Sequence, residues 1–317
     1  MNYTKILGTG SYAPARILSN ADLEKMVDTS DEWITERSGI KRRHLLAEGE
    51  SVTSMALAAA QNALAASEIA ANQIDLLMVA TSTPDYLFPN TASCLHYALQ
   101  LSQNCPVLDL SAACAGFVYA LNVADNYIKT GAAKHPLVIG VEALSRVVDW
   151  TDRSTCVLFG DGAGAAVLGS SKTPGIYSTL LRADGSFTDL LKMSEGPHNP
   201  KPSYIMMRGN EVFKVAVKKL GEVAEEILEQ NKIKKSEIDW LIPHQANLRI
   251  IQGTARKLNI PMERVIVTIQ EYGNTSSSSI PLALDTGIRD GRIKRGDLLL
   301  LEAFGAGFVW GATLIRY

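Results

Sequence analysis

The chain has 317 residues, 46% hydrophobic and 20% charged, which supplies a large buried core and excludes a disordered chain. Lys and Arg number 31 against 33 Asp and Glu, a formal net charge of -2, so overall charge gives no reason to coat nucleic acid or an anionic membrane. Any basic recognition has to be a local patch.

In chain order, Met1 to Ile6 runs into a strand without the basic start, apolar stretch and cleavage site of a signal peptide. No apolar run approaches the roughly 18 residues that span a bilayer. Gly8-Thr9-Gly10 lacks the spacing of a nucleotide loop and reads as a turn or close packing. Lys41-Arg42-Arg43-His44 reads as a solvated surface cluster. A helical pattern from Met55 to Ala66 precedes a strand at Ile74 to Ala80, and His96 sits on a further helical pattern. Strand Val107 to Leu110 leads into a small-residue turn at Cys114, then a helix, Gly131 and strand Leu137 to Ile139. His135 and His198 lie in polar loops next to proline, and Gly160-Asp161-Gly162-Ala163-Gly164 is a second glycine cluster without nucleotide-loop spacing. Ser170 to Gly175 is the clearest polar break.

Beyond it come a helix from Val212 to Gln230 and a strand from Ile238 to Ile242 that ends at Pro243-His244-Gln245-Ala246-Asn247. Strand Val265 to Val267 leads to Asn274, where Thr275 or a following serine caps the next helix, and strand Leu298 to Leu301 ends at Phe304-Gly305-Ala306-Gly307-Phe308. The pattern is α/β. The phrase Ile74-Asp75 returns as Ile238-Asp239 about 160 residues later, with matching strands, turns and glycines after each. That period is too long for a solenoid and predicts two homologous halves, 1–172 and 173–317.

Ligands of open α/β sheets bind beyond the carboxyl ends of strands, which singles out four turns. Cys114 stands before a helix whose free N–H groups favour thiolate, although a buried core cysteine is the plainer alternative. His244 is the natural partner among five histidines, Asn274 presents a neutral amide or a turn residue, and the 305–307 glycines offer backbone N–H groups to an oxyanion or a simple tight turn. The four cysteines show neither CxxC spacing nor scaffold density, as expected of a reducing cytoplasmic compartment. His and Cys never cluster at metal-ligand spacing.

Together, Ala113-Cys114-Ala115-Gly116, Pro243-His244-Gln245-Ala246-Asn247, Gly273-Asn274-Thr275-Ser276 and Gly305-Ala306-Gly307 resemble the beta-ketoacyl-[acyl carrier protein] synthase III family over essentially the whole chain. Thr29 to Ile34, Phe159 to Ala165 and Glu302-Ala303-Phe304 add to the likeness. The resemblance implies a thiolase-like fold of duplicated αβαβα layers and an enzyme without cofactor. Its reaction condenses an acyl-CoA primer, acetyl by default, with malonyl-acyl carrier protein through an acyl-Cys114 intermediate, initiating type II fatty acid synthesis. By the same resemblance His244 and Asn274 stabilise the thioester enolate, and N–H groups of Cys114, Ala306 and Gly307 form the oxyanion hole. Trp33, Arg37, Arg153, Asn210, Phe213, Asn247 and Arg249 would line the CoA tunnel, and Lys214, Arg249, Arg256 and Lys257 would dock the carrier protein. Phe159, Leu191 and Ile205, with Phe88 from the partner of a homodimer, would limit the acyl pocket. One departure stands out: the family often has three glycines where Ala306 interrupts this loop.

The competing readings are a polyketide or signal-molecule condensing enzyme with a different primer, a thioester hydrolase, and a silent binding protein. A degradative thiolase is disfavoured because the last glycine loop carries no second cysteine.

Overall fold

The computed structural model describes residues 3–193 and 203–317; His198 lies outside the described residues. Two sheets organise the chain. The first runs, in spatial order, Tyr3–Tyr12, Asp161–Ser171, Pro136–Ala143, Leu76–Ala80, Val107–Leu110. Its first two pairings are antiparallel and its last two parallel. The second runs Ile176–Ala183, Val309–Arg316, Leu298–Gly305, Trp240–Pro243, with two antiparallel pairings followed by a parallel one. The strand order and the directions of pairing thus repeat from one sheet to the other.

The predicted strand at Val265 is reduced to one parallel bridge with Leu241. Ile266 N–H reaches Leu241 O at 2.9 Å, but Gln245 Oε1 then accepts Thr268 N–H at 2.8 Å and Ile269 N–H at 3.1 Å, pulling the backbone out of the ladder. The repeated Ile-Asp phrase has a physical basis. Asp75 accepts the N–H groups of Lys134 and His135 at 2.6 and 2.9 Å, and Asp239 accepts Leu298 N–H at 2.7 Å. Each aspartate therefore fastens the start of the neighbouring parallel strand.

Alternation along the buried strands sets the layers. Leu76, Met78, Leu299 and Leu301 face a middle layer made by helices Gly116–Thr130 and Ser279–Arg289. Leu77 and Val79 face helices Val52–Ser67 and Thr91–Ala98. Leu298 and Leu300 face helices Gly209–Gln230 and Leu248–Leu258. The result is the αβαβα stack, and each fully buried leucine in it contributes about 1.5–3 kcal/mol.

Gly8-Thr9-Gly10 lies within a strand rather than a turn. A Cβ on Gly10 would stand 2.3 Å from Ala63 N, so the glycines let helix Val52–Ser67 pack directly on the sheet. Arg43 contradicts the expected solvated cluster: it is 0% exposed in strand Arg42–Leu45. Its guanidinium donates to Leu18 O, Asn20 Oδ1 and Val157 O, and these acceptors replace water. His44 is half-buried with Nδ1 2.6 Å from Pro14 O. Among the described residues no helix is long and apolar enough to cross a membrane.

Candidate active site

Cys114 sits in a single turn of 3-10 helix, Ala113–Ala115, between strand Val107–Leu110 and helix Gly116–Thr130. Ala113 takes φ +45°, in the left-handed region that glycine enters freely and alanine only under strain. Burial pushes the Cys114 thiol up to about 12, and nearby Glu142 adds to the rise against the hydrogen bond from Ser276. The helix N-terminus beside the sulfur acts in the opposite direction, favouring the thiolate.

His244 follows strand Trp240–Pro243, with its backbone N–H held by Glu302 O at 2.8 Å. Its Nδ1 lies 2.5 Å from Ser279 Oγ, and that oxygen also accepts Gln245 N–H at 3.2 Å. Among the described residues Ser279 Oγ has no acceptor for its own proton other than Nδ1, so the hydroxyl donates there and Nε2 carries the imidazole hydrogen. Burial drives the His244 pKa down to about 3. The ring is neutral near pH 7.

Asn274 N–H donates to Leu158 O at 2.8 Å and its carbonyl accepts Gly160 N–H at 3.0 Å, pinning it against Phe159. Its Oδ1 accepts Ser276 N–H at 2.9 Å, which leaves the amide NH₂ as the free donor. The serines after it do not cap helix Ser279–Arg289 with their side chains. Ser276 and Ser277 turn inward instead, each with Oγ 3.1 Å from Glu142 Oε1.

Gly305 ends its strand against the nucleophile turn: a Cβ there would lie 2.8 Å from Cys114 N and 3.0 Å from Ala115 N. Positive φ in the following loop falls on Gly307, at +135°, and not on Ala306. Alanine is therefore accommodated at the position where the family pattern has glycine.

Cys114, His244 and Asn274 line one cavity of about 310 Å³, together with Arg37, Asn210, Phe213, Asn247, Arg249, Phe159 and Leu191. Trp33 and Arg153 stand beside it: the Arg37 and Arg153 guanidinium carbons lie 4.9 and 4.6 Å from the Trp33 ring centroid. Asn247 caps helix Leu248–Leu258, accepting Arg249 N–H at 2.8 Å and donating to Arg37 O at 3.0 Å. Ile205 packs on the same core without lining the cavity, where Met207 lies instead. Phe88 does not reach the cavity of its own chain. It is 86% exposed, beside exposed Tyr86 and Leu87. Lys214, Arg249 and Arg256 are exposed and make no ion pair among the described residues. Lys257 is half-buried, its stem filling the space left by Gly221 and its ammonium donating to Lys218 O at 3.3 Å.

Sequence reasoning missed Ser276, Ser279 and Glu142. The serines carry no signal beyond a Ser run, and Glu142 sits at the end of an apolar strand, where an acid without an evident partner is the available clue. Among the described residues no group of three His, Cys, Asp or Glu is placed to hold a metal.

Two family profiles match the chain: 3-oxoacyl-[acyl-carrier-protein (ACP)] synthase III over residues 108–185 and its C-terminal part over residues 228–317. The chain is 55% identical to a beta-ketoacyl-[acyl-carrier-protein] synthase III of Thiobacillus denitrificans, covering 100% of both. It is 57% identical to that of Aliivibrio fischeri, covering 99% of this chain and 100% of the relative. The crystal structure of 3-oxoacyl-[acyl-carrier-protein] synthase III from Aquifex aeolicus superposes with a TM-score of 0.94 at 52% identity, over 99% of this chain and 100% of that one. The priming beta-ketosynthase of the R1128 polyketide pathway superposes with a TM-score of 0.95 at 36% identity, over 99% and 96%.

Proposed function

The chain belongs to the 3-oxoacyl-[acyl-carrier-protein] synthase III family, and we propose from this that Cys114 carries the acyl group while His244 and Asn274 activate the second thioester. The fold is thiolase-like, and the enzyme is a condensing acyltransferase that initiates fatty acid synthesis. The observation that carries the site assignment is the convergence of a thiol, a neutral imidazole and a free amide donor on one cavity.

Acylation begins with attack of the Cys114 sulfur on an acyl-CoA carbonyl and ends with loss of the CoA thiolate. Backbone N–H groups of Cys114 and of the Ala306 and Gly307 loop hold the tetrahedral oxyanion. Malonyl-acyl carrier protein then loses carbon dioxide. His244 Nε2–H and the Asn274 amide donate to the developing enolate oxygen, and the enolate carbon attacks the acyl carbonyl and releases Cys114. Two neutral donors suit this step because an enolate needs directed hydrogen bonds and no carboxylate base.

Trp33, Arg37 and Arg153 form a cationic aromatic rim suited to the adenine and phosphates of CoA, with Asn210, Phe213, Asn247 and Arg249 along the tunnel. Lys214, Arg249 and Arg256 are free to meet an acidic carrier protein, whereas Lys257 supports the helix pair beneath them. The exposed Tyr86-Leu87-Phe88 segment is an apolar surface that a second copy of the chain would cover, sending Phe88 toward the partner's Phe159 and Leu191. Four unpaired cysteines support a reducing, cytoplasmic setting. No residue of the assigned reaction calls for a cofactor. The two halves, 1–172 and 173–317, each contribute one wall, Cys114 from the first and His244 and Asn274 from the second.

The test is product formation from acetyl-CoA with malonyl-acyl carrier protein or malonyl-CoA as second substrate. Beta-ketoacyl carrier protein formed only from the carrier-bound donor is the expected result. Equal turnover of malonyl-CoA would favour the polyketide-type alternative, and free acid without condensation a hydrolase.

A further inference from the structure

Asn274 stands on a backbone with little ladder to steady it. Its bridge is to Phe159, made by its own N–H to Leu158 O at 2.8 Å and by Gly160 N–H to its carbonyl at 3.0 Å. Whatever fixes the 157–160 turn therefore fixes the direction of the Asn274 amide. We propose that Arg43 is a positioning residue for Asn274: its guanidinium, oriented by Asn20, holds that turn against strand Arg42–Leu45.

Arg43 is 0% exposed and makes no ion pair among the described residues, so oxygen dipoles alone compensate its charge. A cation without a carboxylate is costly to bury, and an apolar side chain would fill the same space. What the guanidinium adds is direction. Its Nη2 donates to Val157 O at 2.8 Å, while Nη1 donates to Leu18 O at 3.1 Å and to Asn20 Oδ1 at 2.9 Å. One planar group thus ties the turn beside Asn274 to the paired strands Arg16–Ser19 and Arg42–Leu45. Its stem completes the contact: a Cβ on Gly160 would stand 3.0 Å from Arg43 Cβ, and one on Gly273 3.3 Å. Both glycines adjoin Asn274, the first through its hydrogen bond and the second in sequence.

The same stretch of chain grips the helix Ile269–Tyr272 that leads into Asn274. Lys41 N–H donates to Gln270 O at 3.0 Å, Arg42 Nε donates to Glu271 Oε2 at 2.6 Å, and the His44 ring lies 5.4 Å from that of Tyr272. The Asn274 backbone is therefore held from both sides by one strand, whose inward residue is Arg43. Asn20, itself 1% exposed, extends the network the other way. Its Nδ2 donates to Asp31 Oδ1 and to Ile40 O, each at 2.7 Å, at the two ends of the helix Asp31–Ser38 that carries Trp33 and Arg37. The amide and the cationic aromatic rim share one buried anchor.

This inference rests on the reading that Asn274 donates to the enolate, and the experiment separates the two. Carbon dioxide release from labelled malonyl-acyl carrier protein and acyl-Cys114 formation from acetyl-CoA are measured separately. The proteins are wild type, Arg43→Met, Arg43→Lys, Asn20→Ala, Asn274→Ala and the double variants of Arg43→Met and Asn20→Ala with Asn274→Ala. Thermal unfolding establishes which are folded. Arg43→Met should slow decarboxylation about 10- to 100-fold by displacing the amide. Its acylation rate should stay within about threefold of wild type, because Asn20 keeps its bonds to both ends of the rim helix. Arg43→Lys should recover part of the loss. In the Asn274→Ala background, Arg43→Met should cost less than about threefold more, since a residue that acts through Asn274 has nothing left to position. Asn20→Ala should slow decarboxylation and also raise KM for acyl-CoA. A folded Arg43→Met that decarboxylates at the wild-type rate, loses both half-reactions equally, or adds its full loss to that of Asn274→Ala overturns the proposal. Decarboxylation by Asn274→Ala at the wild-type rate sinks the functional reading itself and this proposal with it. Should Arg43→Met not fold, Asn20→Ala decides by the same comparison with Asn274→Ala, and an unchanged or fully additive rate there overturns the proposal.

Discussion

Ser279 Oγ lies 2.5 Å from His244 Nδ1 while accepting Gln245 N–H, and this pair fixes which imidazole nitrogen faces the cavity with a hydrogen. A hydrolytic Cys-His pair would orient its histidine with a group that stabilises an imidazolium. A hydroxyl that donates to Nδ1 stabilises the neutral ring and leaves Nε2–H to donate. Ser279→Ala should lower the condensation rate about 10- to 100-fold and leave acyl-Cys114 formation near its wild-type rate. Separate rates for adduct and product formation check it; equal losses in both would contradict the assignment.

His244→Ala and Asn274→Ala each remove one donor to the enolate. Each should cut decarboxylation of malonyl-acyl carrier protein about 10²- to 10³-fold, again sparing the adduct. Carbon dioxide release from labelled malonyl carrier protein is the readout, and an unaffected rate in either variant removes that residue from the role.

Two buried groups, His244 on the cavity wall and Glu302 on the neighbouring strand, bend stability with pH in opposite directions. His244, held down to about 3 by burial, stays neutral when the unfolded chain's histidine protonates. The unfolded state then binds more protons, so stability is lost as pH falls below about 6.5 toward 3. Glu302 is fully buried with neither carboxyl oxygen hydrogen-bonded by its side chain's neighbours, and burial pushes it up to about 8. The folded state holds a proton there that the unfolded state releases, so this contribution is present below about 4.5 and lost as pH rises through 8. Glu302→Gln should therefore flatten the decline of unfolding free energy between pH 5 and 9, measured by urea titration at each pH. An unchanged slope would mean that Glu302 is not protonated.

Much of this arrangement was legible because it follows from strand ends. Cys114 and His244 come shortly after apolar runs, Asn274 follows one beyond the short helix Ile269–Tyr272, and the repeated Ile-Asp phrase marks matching strands in the two halves. The layers were legible from the duplication and the family resemblance, but not which face of each strand looks inward: Leu298 to Leu301 reads as one apolar run, and packing alone assigns alternate leucines to different layers. Arg43 was misread because a charged run next to a histidine normally stays solvated, and only three backbone and amide oxygens from separate segments bury it. Sequence shows the helix end beside Cys114 but not the burial that opposes it.

The last glycine loop divides into a position that must be glycine and one that need not be. Gly305→Ala should abolish acylation, because its Cβ would press on Cys114 N, whereas Ala306→Gly should change the rate less than about threefold. An active Gly305→Ala variant would show that the nucleophile turn can move.

Charge reversal should separate carrier docking from CoA binding. Arg256→Glu and Lys214→Glu should raise KM for malonyl-acyl carrier protein about tenfold or more at low salt, with a smaller effect at high salt and little change in acylation by acyl-CoA. Loss of the acylation step instead would place these residues in folding or in the CoA tunnel.

The central claim is that Cys114 holds the acyl group between the two half-reactions. The most direct measurement incubates wild type and Cys114→Ala with labelled acetyl-, octanoyl- and branched acyl-CoA, with and without malonyl-acyl carrier protein, and follows protein mass and products together. The account predicts an adduct of one acyl mass on wild type alone, discharged into beta-ketoacyl carrier protein when the malonyl donor is added. Condensation by Cys114→Ala at the wild-type rate, or product formation by wild type with no adduct from any primer, would contradict it.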